Sequence, residues 1–336
     1  MHYRTRLTFR SAMATLLCTL FAAAVITVAP GCTNDESGTV RVVATTGMIG
    51  DTIREVAGEA VDVHVLMGPG VDPHLYRPTR RDMRAMLDAD AVFANGHDLE
   101  GRMGQTFRDV REAGKPVVFV AEELDEDALL RPAEFEGAFD PHVWMDPGRW
   151  QDVTTIIADA LADLDPASAS AYETNASAYV EQLDDLDAYA REAFETIPEN
   201  RRVLVTAHDA FHYLADAYGV DVLGIQGIST DSEAGLRRIE QLVDRLVDDD
   251  IPVVFAETSV ADKHVRSLID GARARDHDVR IGGTLFSDAM GSAGTYEGTY
   301  IGMIDHNVTT IVRGLGGQAP ARGMNGQLEE PDGDDT

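Results

Sequence analysis

The sequence has little cysteine, little lysine and, beyond its first 30 or so residues, no long hydrophobic run. Its two cysteines are Cys18 and Cys32, so the rest of the chain has no thiol with which to form a disulfide. No later apolar run approaches the ~20 residues that a bilayer-spanning helix needs. A folded domain in this chain must therefore be held together by burial of an apolar core.

Positive charge is also scarce. Lysine occurs only at Lys115 and Lys263. The chain has 28 basic and 58 acidic side chains, which gives a net charge of −30. This balance excludes nucleic-acid binding, because phosphate contacts require a basic face. Two explanations of the acidity remain open. One is a high-salt environment, where screening removes self-repulsion, and the other is a biased genome composition with a solvated acidic surface.

The N-terminal segment has the features of an export signal. Residues 1–31 begin with several arginines and continue with an apolar stretch over about 11–28. The following Gly31-Cys32 resembles a lipoprotein cleavage site, so we predict that Cys32 carries lipid and begins a tether over 32–39. A plain secretory signal and an uncleaved anchor are the alternatives. All three place the protein outside the cytosol, and the first attaches it to the bacterial membrane.

The remaining chain alternates β-like apolar runs with helix-periodic stretches, which predicts parallel sheets flanked by helices. A long amphipathic helix is predicted between two such series, and 28 residues of it would extend roughly 40 Å. The predicted fold is α/β, with two lobes, each with a roughly four-stranded parallel sheet, joined by one rigid helix. The predicted segments are an N-terminal lobe over 40–165, a linker helix over 166–197, a C-terminal lobe over 198–315 and a disordered tail over 316–336.

Four side chains near the ends of β-like runs form a candidate metal site. His74 and His142 each end an Asp-Pro-His tripeptide, while His208 and Asp288 follow apolar runs of the second series. Open α/β sheets bind their ligands at the carboxyl edge of the strands. Imidazole and carboxylate ligands suit Zn²⁺ or Mn²⁺. A closed set of four protein ligands favours holding an ion over activating water, since hydrolytic zinc sites keep one position open.

Several neighbouring residues are candidates to support these ligands. Acidic side chains close to them in sequence could accept a hydrogen bond from a ligand's free N–H. These candidates are Asp72, Asp140, Asp146 and Asp209. His97, which follows Asn95-Gly96 at the end of a predicted strand, is a further candidate to reach the site.

An enzymatic alternative comes from the segment His208–His212. Its pattern resembles the H-E-x-x-H motif of zinc proteases, with aspartate in place of glutamate. That motif requires both histidines on one face of a helix. Because His208 directly follows a β-like run, we predict that it lies at a strand end. A zinc hydrolase therefore remains only the alternative to a binding protein.

Taken in order, the motifs resemble the solute-binding lipoproteins of bacterial ABC importers for zinc and manganese, known as the cluster A-I type. The resemblance covers about 40–314. Its motifs are Asp72-Pro73-His74, Asn95-Gly96, the segment 140–147 (DPHVWMDP), the segment 206–211 (TAHDAF), the segment 227–230 (GIST) and the segment 285–291 (LFSDAMG).

This resemblance implies a fold of two α/β lobes joined by a long helix, with the metal between them. His74 and His142 would come from the first lobe, and His208 and Asp288 from the second. It also implies a monomer without catalytic activity that delivers Zn²⁺ or Mn²⁺ to a membrane permease with a cytoplasmic ATPase. Some members are described as adhesins, so a metal-containing surface adhesin is a further alternative, as is a binder of an organic ligand or another metal.

The resemblance leaves the identity of the metal open. His208 stands where many manganese-dedicated members have glutamate, as in members that accept both metals. Zinc-dedicated members often have a histidine-rich acidic loop before the second ligand. The corresponding stretch of this chain, Glu122–Asp140, is acidic but contains no histidine. Three imidazoles should nevertheless favour zinc over manganese in affinity.

Overall fold

A computed structural model describes residues 39–329, apart from 133, 134 and 136. The predicted signal over 1–31 and Cys32 lie outside these residues. The strands are β1 Val40–Ala44, β2 Val61–Val65, β3 Ala91–Ala94, β4 Val117–Phe119, β5 Val203–His208, β6 Asp221–Gln226, β7 Val253–Glu257 and β8 Arg280–Leu285. The helices are α1 Gly47–Ala57, α2 Arg80–Asp88, α3 Gly104–Glu112, α4 Pro147–Leu164, α5 Ala169–Glu195, α6 His212–Tyr218, α7 Leu236–Asp248, α8 Lys263–Arg273 and α9 Tyr300–Gly314.

The first four strands form one parallel sheet in the order β2-β1-β3-β4. Val42 in the middle of β1 pairs with Val63 on one side and with Ala91 on the other. The inner strand β3 and the second part of β1, Val42–Ala44, are apolar and buried, whereas Arg41 at the start of β1 is exposed. Apolar, buried strands are expected where helices cover both faces of a parallel sheet. Loops that follow these strands therefore meet at one edge of the sheet.

Helix α5 separates a first half of the chain, with β1–β4 and α1–α4, from a second half, with β5–β8 and α6–α9. The four strands of the second half form two parallel pairs. β5 pairs with β6, and β7 pairs with β8, while β5 lies beside β7. At the carboxyl ends of β5 and β7 a side chain joins the two pairs, because the backbone N–H of His208 donates to Glu257 Oε1 at 2.9 Å. The predicted α/β class with parallel strands flanked by helices is confirmed.

Helix α5 contacts helices from both halves of the chain. It has 27 residues, which gives a length of about 40 Å, and its bounds lie inside the predicted 166–197. Its buried side chains recur at spacings of three and four, which places them on one face: Tyr172, Ala176, Tyr179, Leu183, Leu186, Ala190, Ala193 and Phe194. This face packs against α1 and α4 of the first half and against α6 and α9 of the second.

Aromatic stacking and buried hydrogen bonds also link the two halves. The rings of Trp150 and Tyr300 stack with centroids 5.2 Å apart. The backbone N–H of Tyr300 donates to the buried Asp51 carboxylate at 2.7 Å, and its hydroxyl donates to the carbonyl of Trp144 at 2.8 Å. One apolar cluster includes residues of both halves. A shared core thus holds the two parts of the fold together.

The C-terminal segment differs from the prediction of a disordered tail over 316–336. Residues up to Glu329 fold back on the body, where both oxygens of Asp305 accept the backbone N–H of Met324 at 2.9 and 3.0 Å. Leu328 is 4% exposed. The polar composition of 316–329 gave no sign of these contacts, which the fully buried Asp305 carboxylate and the apolar Leu328 side chain provide. The prediction is wrong for 316–329, and 330–336 lie outside the described residues.

Among the helices of the described part of the chain, none combines the length and apolar character that crossing a bilayer requires.

The packing of α5 predicts the cost of truncating its buried face. Leu186 is fully buried, so Leu186→Ala should lower the free energy of unfolding by about 2–5 kcal/mol through lost burial and an added cavity. Leu236→Ala is the matched control, because Leu236 is 72% exposed and should change stability by less than about 0.5 kcal/mol. Urea unfolding of both variants measures the difference, and equal effects would contradict the packing of α5.

Candidate metal site

The four predicted ligands come from four separate loops or strand ends. His74 lies in the loop after β2, and His142 precedes a short 3-10 turn over Val143–Met145 that leads into α4. His208 is the last residue of β5, and Asp288 follows β8 by three residues. Each segment brings its side chain to the carboxyl edge of the strands, where the two halves face each other.

The structure brings all four side chains together. One ligand atom of each lies within 4.8 Å of the corresponding atom of every other. The Nε2 atoms of His74 and His142 are 3.4 Å apart, and Asp288 places Oδ1 at 3.5 Å from Nε2 of His142 and Oδ2 at 3.3 Å from Nε2 of His208. All four are at most 4% exposed. A group of this kind, at these distances, could hold one metal ion.

Carboxylates fix the orientation of two of the histidines. Asp140 Oδ1 accepts from the backbone N–H of His142 at 2.9 Å and lies 2.7 Å from its ring Nδ1. Glu257 does the same for His208, accepting the backbone N–H at 2.9 Å with one oxygen and contacting Nδ1 at 2.5 Å with the other. A ring whose Nδ1–H donates to a carboxylate presents an unprotonated Nε2 to an ion.

The third histidine is held differently. The backbone N–H of His74 donates to Asp72 Oδ1 at 2.9 Å, and Asp72 Oδ2 accepts from the hydroxyl of Thr230 in the other half at 2.5 Å. The ring Nδ1 of His74 is buried and has no hydrogen-bond partner within the described residues. The backbone of His74 is therefore linked through Asp72 to Thr230 in the second half of the chain. No hydrogen bond in the described part of the chain fixes Nδ1 of its ring.

Of the four predicted supporting acids, two serve the ligands and two do not. Asp140 and Asp72 contact ligand residues as described, whereas Asp146 caps α4 and pairs with Arg149. Asp209 accepts the backbone N–H of Gly224. Sequence reasoning missed Glu257 as a partner of His208. His208 was selected because it ends an apolar strand. Glu257 meets the same criterion, since it is the last residue of the buried strand β7.

The charges of the cluster are strongly coupled. Burial opposes protonation of His142, but the adjacent Asp140 and Asp288 carboxylates outweigh it and raise the pKa of His142 to about 9. Burial likewise opposes the charged form of His208, yet Asp288 and Glu257 raise the pKa of that ring well above its usual value. For His74 burial prevails and lowers the pKa to about 3. An incoming dication must therefore displace protons from His142 and His208.

Several atoms that face the centre of the cluster lack hydrogen bonds. His208 Nε2 and both carboxylate oxygens of Asp288 are buried without a hydrogen-bond partner in the described part of the chain. Leaving such atoms unpaired is costly, and nearly all buried polar atoms in proteins find a partner. These three atoms belong to two of the four residues whose ligand atoms lie within 4.8 Å of one another. The donor set and its geometry therefore fit a divalent cation.

A cavity of about 310 Å³ adjoins the cluster on the side of His74. Its lining includes His74, His97, Arg102, Pro141, Ile228 and Asp231. Arg102 of the first half forms an ion pair with Asp231 of the second across this space. His97 lines the cavity, but its Nε2 contacts the carbonyl of Ala121 at 3.0 Å. His97 therefore lines the cavity beside His74 and lies outside the four-residue cluster.

The geometry of the enzymatic alternative is unfavourable. His208 ends β5 and His212 begins α6, so the two histidines do not share a helix face as the protease motif requires. The ring Nδ1 of His212 contacts Asp140 Oδ2 at 2.9 Å. His212 therefore supports His142 through Asp140, a role that the sequence motif did not suggest.

Comparisons with known proteins agree with this arrangement. The family model ZnuA, described as "Zinc-uptake complex component A periplasmic", matches residues 42–314. This chain belongs to the ZnuA family. The resemblance inferred from its motifs is confirmed.

Two relatives of the ZnuA family illustrate the range of metals. The manganese-binding lipoprotein MntA of Bacillus subtilis is 42% identical over 301 residues, which cover 88% of this chain and 97% of MntA. The zinc-binding protein TroA of Treponema pallidum is 45% identical over 274 residues, covering 82% of this chain and 88% of TroA. A solved structure of TroA superposes with a TM-score of 0.80 at 44% identity, covering 83% of this chain and 99% of that one.

The raised pKa values of the histidines predict how stability depends on pH. A folded-state pKa above the unfolded one means that the folded protein binds more protons. The stabilisation from His142 should be complete below its ordinary pKa of 6.5 and lost as the pH rises to about 9. Thermal unfolding of chelator-treated protein across this range should therefore show falling stability. His142→Asn should reduce the slope, and an unchanged slope would contradict the coupling to Asp140.

Proposed function

We propose that this chain is the extracytoplasmic solute-binding component of an ABC importer, which captures Zn²⁺ or Mn²⁺ between its two halves. The ion is cargo, and its ligands are His74, His142, His208 and Asp288. The observation that carries this proposal is the convergence of four buried ligand atoms within 4.8 Å. Relatives named for manganese and zinc binding support it.

The proposed partners follow from the same role. The captured ion would pass to a membrane permease with a cytoplasmic ATPase, and lipid on Cys32 would keep this protein, as a monomer, at the membrane surface. Similar streptococcal proteins are named metal ABC transporter substrate-binding lipoproteins, which supports this role over that of an adhesin. The chain would perform no catalysis. Three histidines and Asp288 would fill the coordination sphere of the bound ion and leave no open position for a reacting water.

The donor set bears on the choice of metal. Three imidazole nitrogens suit zinc, and the divalent affinity order places zinc above manganese. Asp288 directs one oxygen toward His142 and the other toward His208, so it could bind with both oxygens and accommodate the higher coordination number that manganese prefers. We therefore expect both ions to bind, zinc the more tightly.

Elemental analysis tests the ligand assignment. Chelator-stripped, refolded chain should retain one equivalent of zinc, or of manganese offered alone, after gel filtration. Asp288→Ala and His208→Ala should retain none, because each removes a ligand from a closed set of four. Asp185→Ala, at an exposed position on α5, is the matched control and should bind normally. Unchanged stoichiometry and affinity in both ligand variants would refute the proposed site.

The contacts of Glu257 predict a second effect on affinity. Glu257→Gln leaves one acceptor for two donors of His208, or turns the ring so that Nε2 carries the proton and cannot bind metal. Affinity for zinc should fall by about 10–100-fold, as for other carboxylates behind metal-binding histidines. Competition with a chromophoric chelator measures the affinity, and ¹⁵N NMR reports the tautomer of His208. The exposed Glu192→Gln is the control, and equal affinities with an unchanged tautomer would show that Glu257 does not position His208.

A further inference from the structure

An exposed basic patch stands out on this acidic protein. We define the α2 arginine patch as Arg77, Arg80, Arg81 and Arg84, all of which are exposed on a chain with a net charge of −30. Among the other described residues, some arginines, such as Arg149, pair with carboxylates and others, such as Arg237, do not. The patch is distinguished by four arginines within eight residues, none of which has an ion pair within the described part of the chain.

The single acid within the patch does not neutralise it. Asp82 is 9% exposed, and its Oδ2 accepts the hydroxyl of Tyr76 and the backbone N–H of Thr79, each at 2.7 Å. These bonds turn its carboxylate toward the protein. The guanidinium groups therefore present a local positive charge to the outside.

The patch weakens the helix that carries it. Arg80 and Arg81 occupy the first turn of α2, where the helix dipole disfavours cations. Arg80 and Arg84 are four residues apart, a spacing at which like charges repel. The helix is held instead by the capping box of Thr79 with Asp82 and by burial of Met86. Residues that oppose local stability without a structural gain are expected at functional surfaces.

A short segment of chain links the patch to His74 and to the cavity beside the metal site. Leu75 directly follows His74, and its carbonyl accepts from Nη1 of Arg102 at 3.4 Å, while Arg102 and His74 both line the cavity. The hydroxyl of Tyr76 then ties this segment to Asp82 in α2. A continuous piece of chain thus joins a ligand, the rim of the cavity and the arginine patch.

We propose that the α2 arginine patch, with the exposed Leu75 and Leu87 beside it, docks on an acidic extracytoplasmic surface of the membrane permease. This rests on the proposed function. An ion that leaves through the cavity emerges beside the patch, so the protein that receives the ion must lie there. Arginine binds carboxylates through paired, short-range hydrogen bonds. The otherwise acidic surface would be repelled by the same carboxylates, so the patch would set the orientation of docking.

The two leucines give this surface an apolar component. Leu75 is 40% and Leu87 is 37% exposed, one before the N-terminus of α2 and the other in its last turn. Arginine is enriched at protein interfaces, and the buried centre of an interface is more apolar than its rim. Lipid headgroups would use the charge, but they cannot receive the ion. The position at the cavity therefore favours the permease over the membrane surface.

The test compares two variants with equal charge changes in the mature chain with Cys32→Ser, so that lipid attachment does not mask docking. The patch variant is R77Q/R80Q/R81Q/R84Q. The control variant, R237Q/R245Q/R266Q/R273Q, alters exposed arginines on α7 and α8. Docking to proteoliposomes that contain the cognate permease and ATPase, and zinc-dependent stimulation of ATP hydrolysis, are measured for both. The patch variant should dock at least about tenfold more weakly, and the control should match the unsubstituted chain.

Two further measurements separate the possible results. The patch variant should bind one equivalent of zinc and melt at the same or a higher temperature, because the arginines do not support the fold. If docking is unchanged in a patch variant that binds zinc normally, the docking proposal is overturned. If the unsubstituted chain binds protein-free phosphatidylglycerol vesicles and the patch variant does not, the surface belongs to the membrane, which also overturns it. Failure of the unsubstituted chain to bind metal would instead overturn the proposed function.

Discussion

The structure depends on keeping four ionisable ligands buried and correctly oriented in one place. Burial alone opposes a charged histidine or aspartate, as the lowered pKa of His74 illustrates. Asp140 and Glu257 offset this effect by accepting both the backbone N–H and the ring N–H of the histidines in front of them. Each carboxylate thus fixes the main chain, the ring and the tautomer of a ligand at once.

This arrangement requires the two halves of the chain to be held in register. Trp144 lies two residues after His142, and its Nε1–H donates to the carbonyl of Ser287, which precedes Asp288, at 2.9 Å. The hydroxyl of Tyr300 in turn donates to the carbonyl of Trp144. Below these bonds, α5 packs against helices of both halves. The segments that carry ligands from opposite halves are therefore joined directly, and the shared core supports the joint.

The residues around the ligands show where sequence reasoning stops. Asp140 and Asp146 both lie within four residues of His142, yet only Asp140 contacts its ring, while Asp146 caps a helix and pairs with Arg149. Glu257 lies 49 residues from His208, which it contacts, and His212 lies 72 residues from Asp140, the carboxylate that contacts His142. Proximity in sequence does not decide which carboxylate meets which histidine. Partners that come from different strands can be identified only when the packing of those strands is known.

The α/β class, the long amphipathic helix and the four candidate ligands could all be predicted from the amino-acid sequence. These features depend on local patterns, since apolar periodicity specifies strands and helices, and the carboxyl ends of parallel strands share one edge. Four features could not be predicted in this way: the pairing of the second-half strands, the supporting roles of Glu257 and His212, the folded path of 316–329, and the contacts of Leu75 and Tyr76 that link the arginine patch to the rim of the cavity. Each of these depends on contacts between segments distant in sequence, which packing of the whole chain creates.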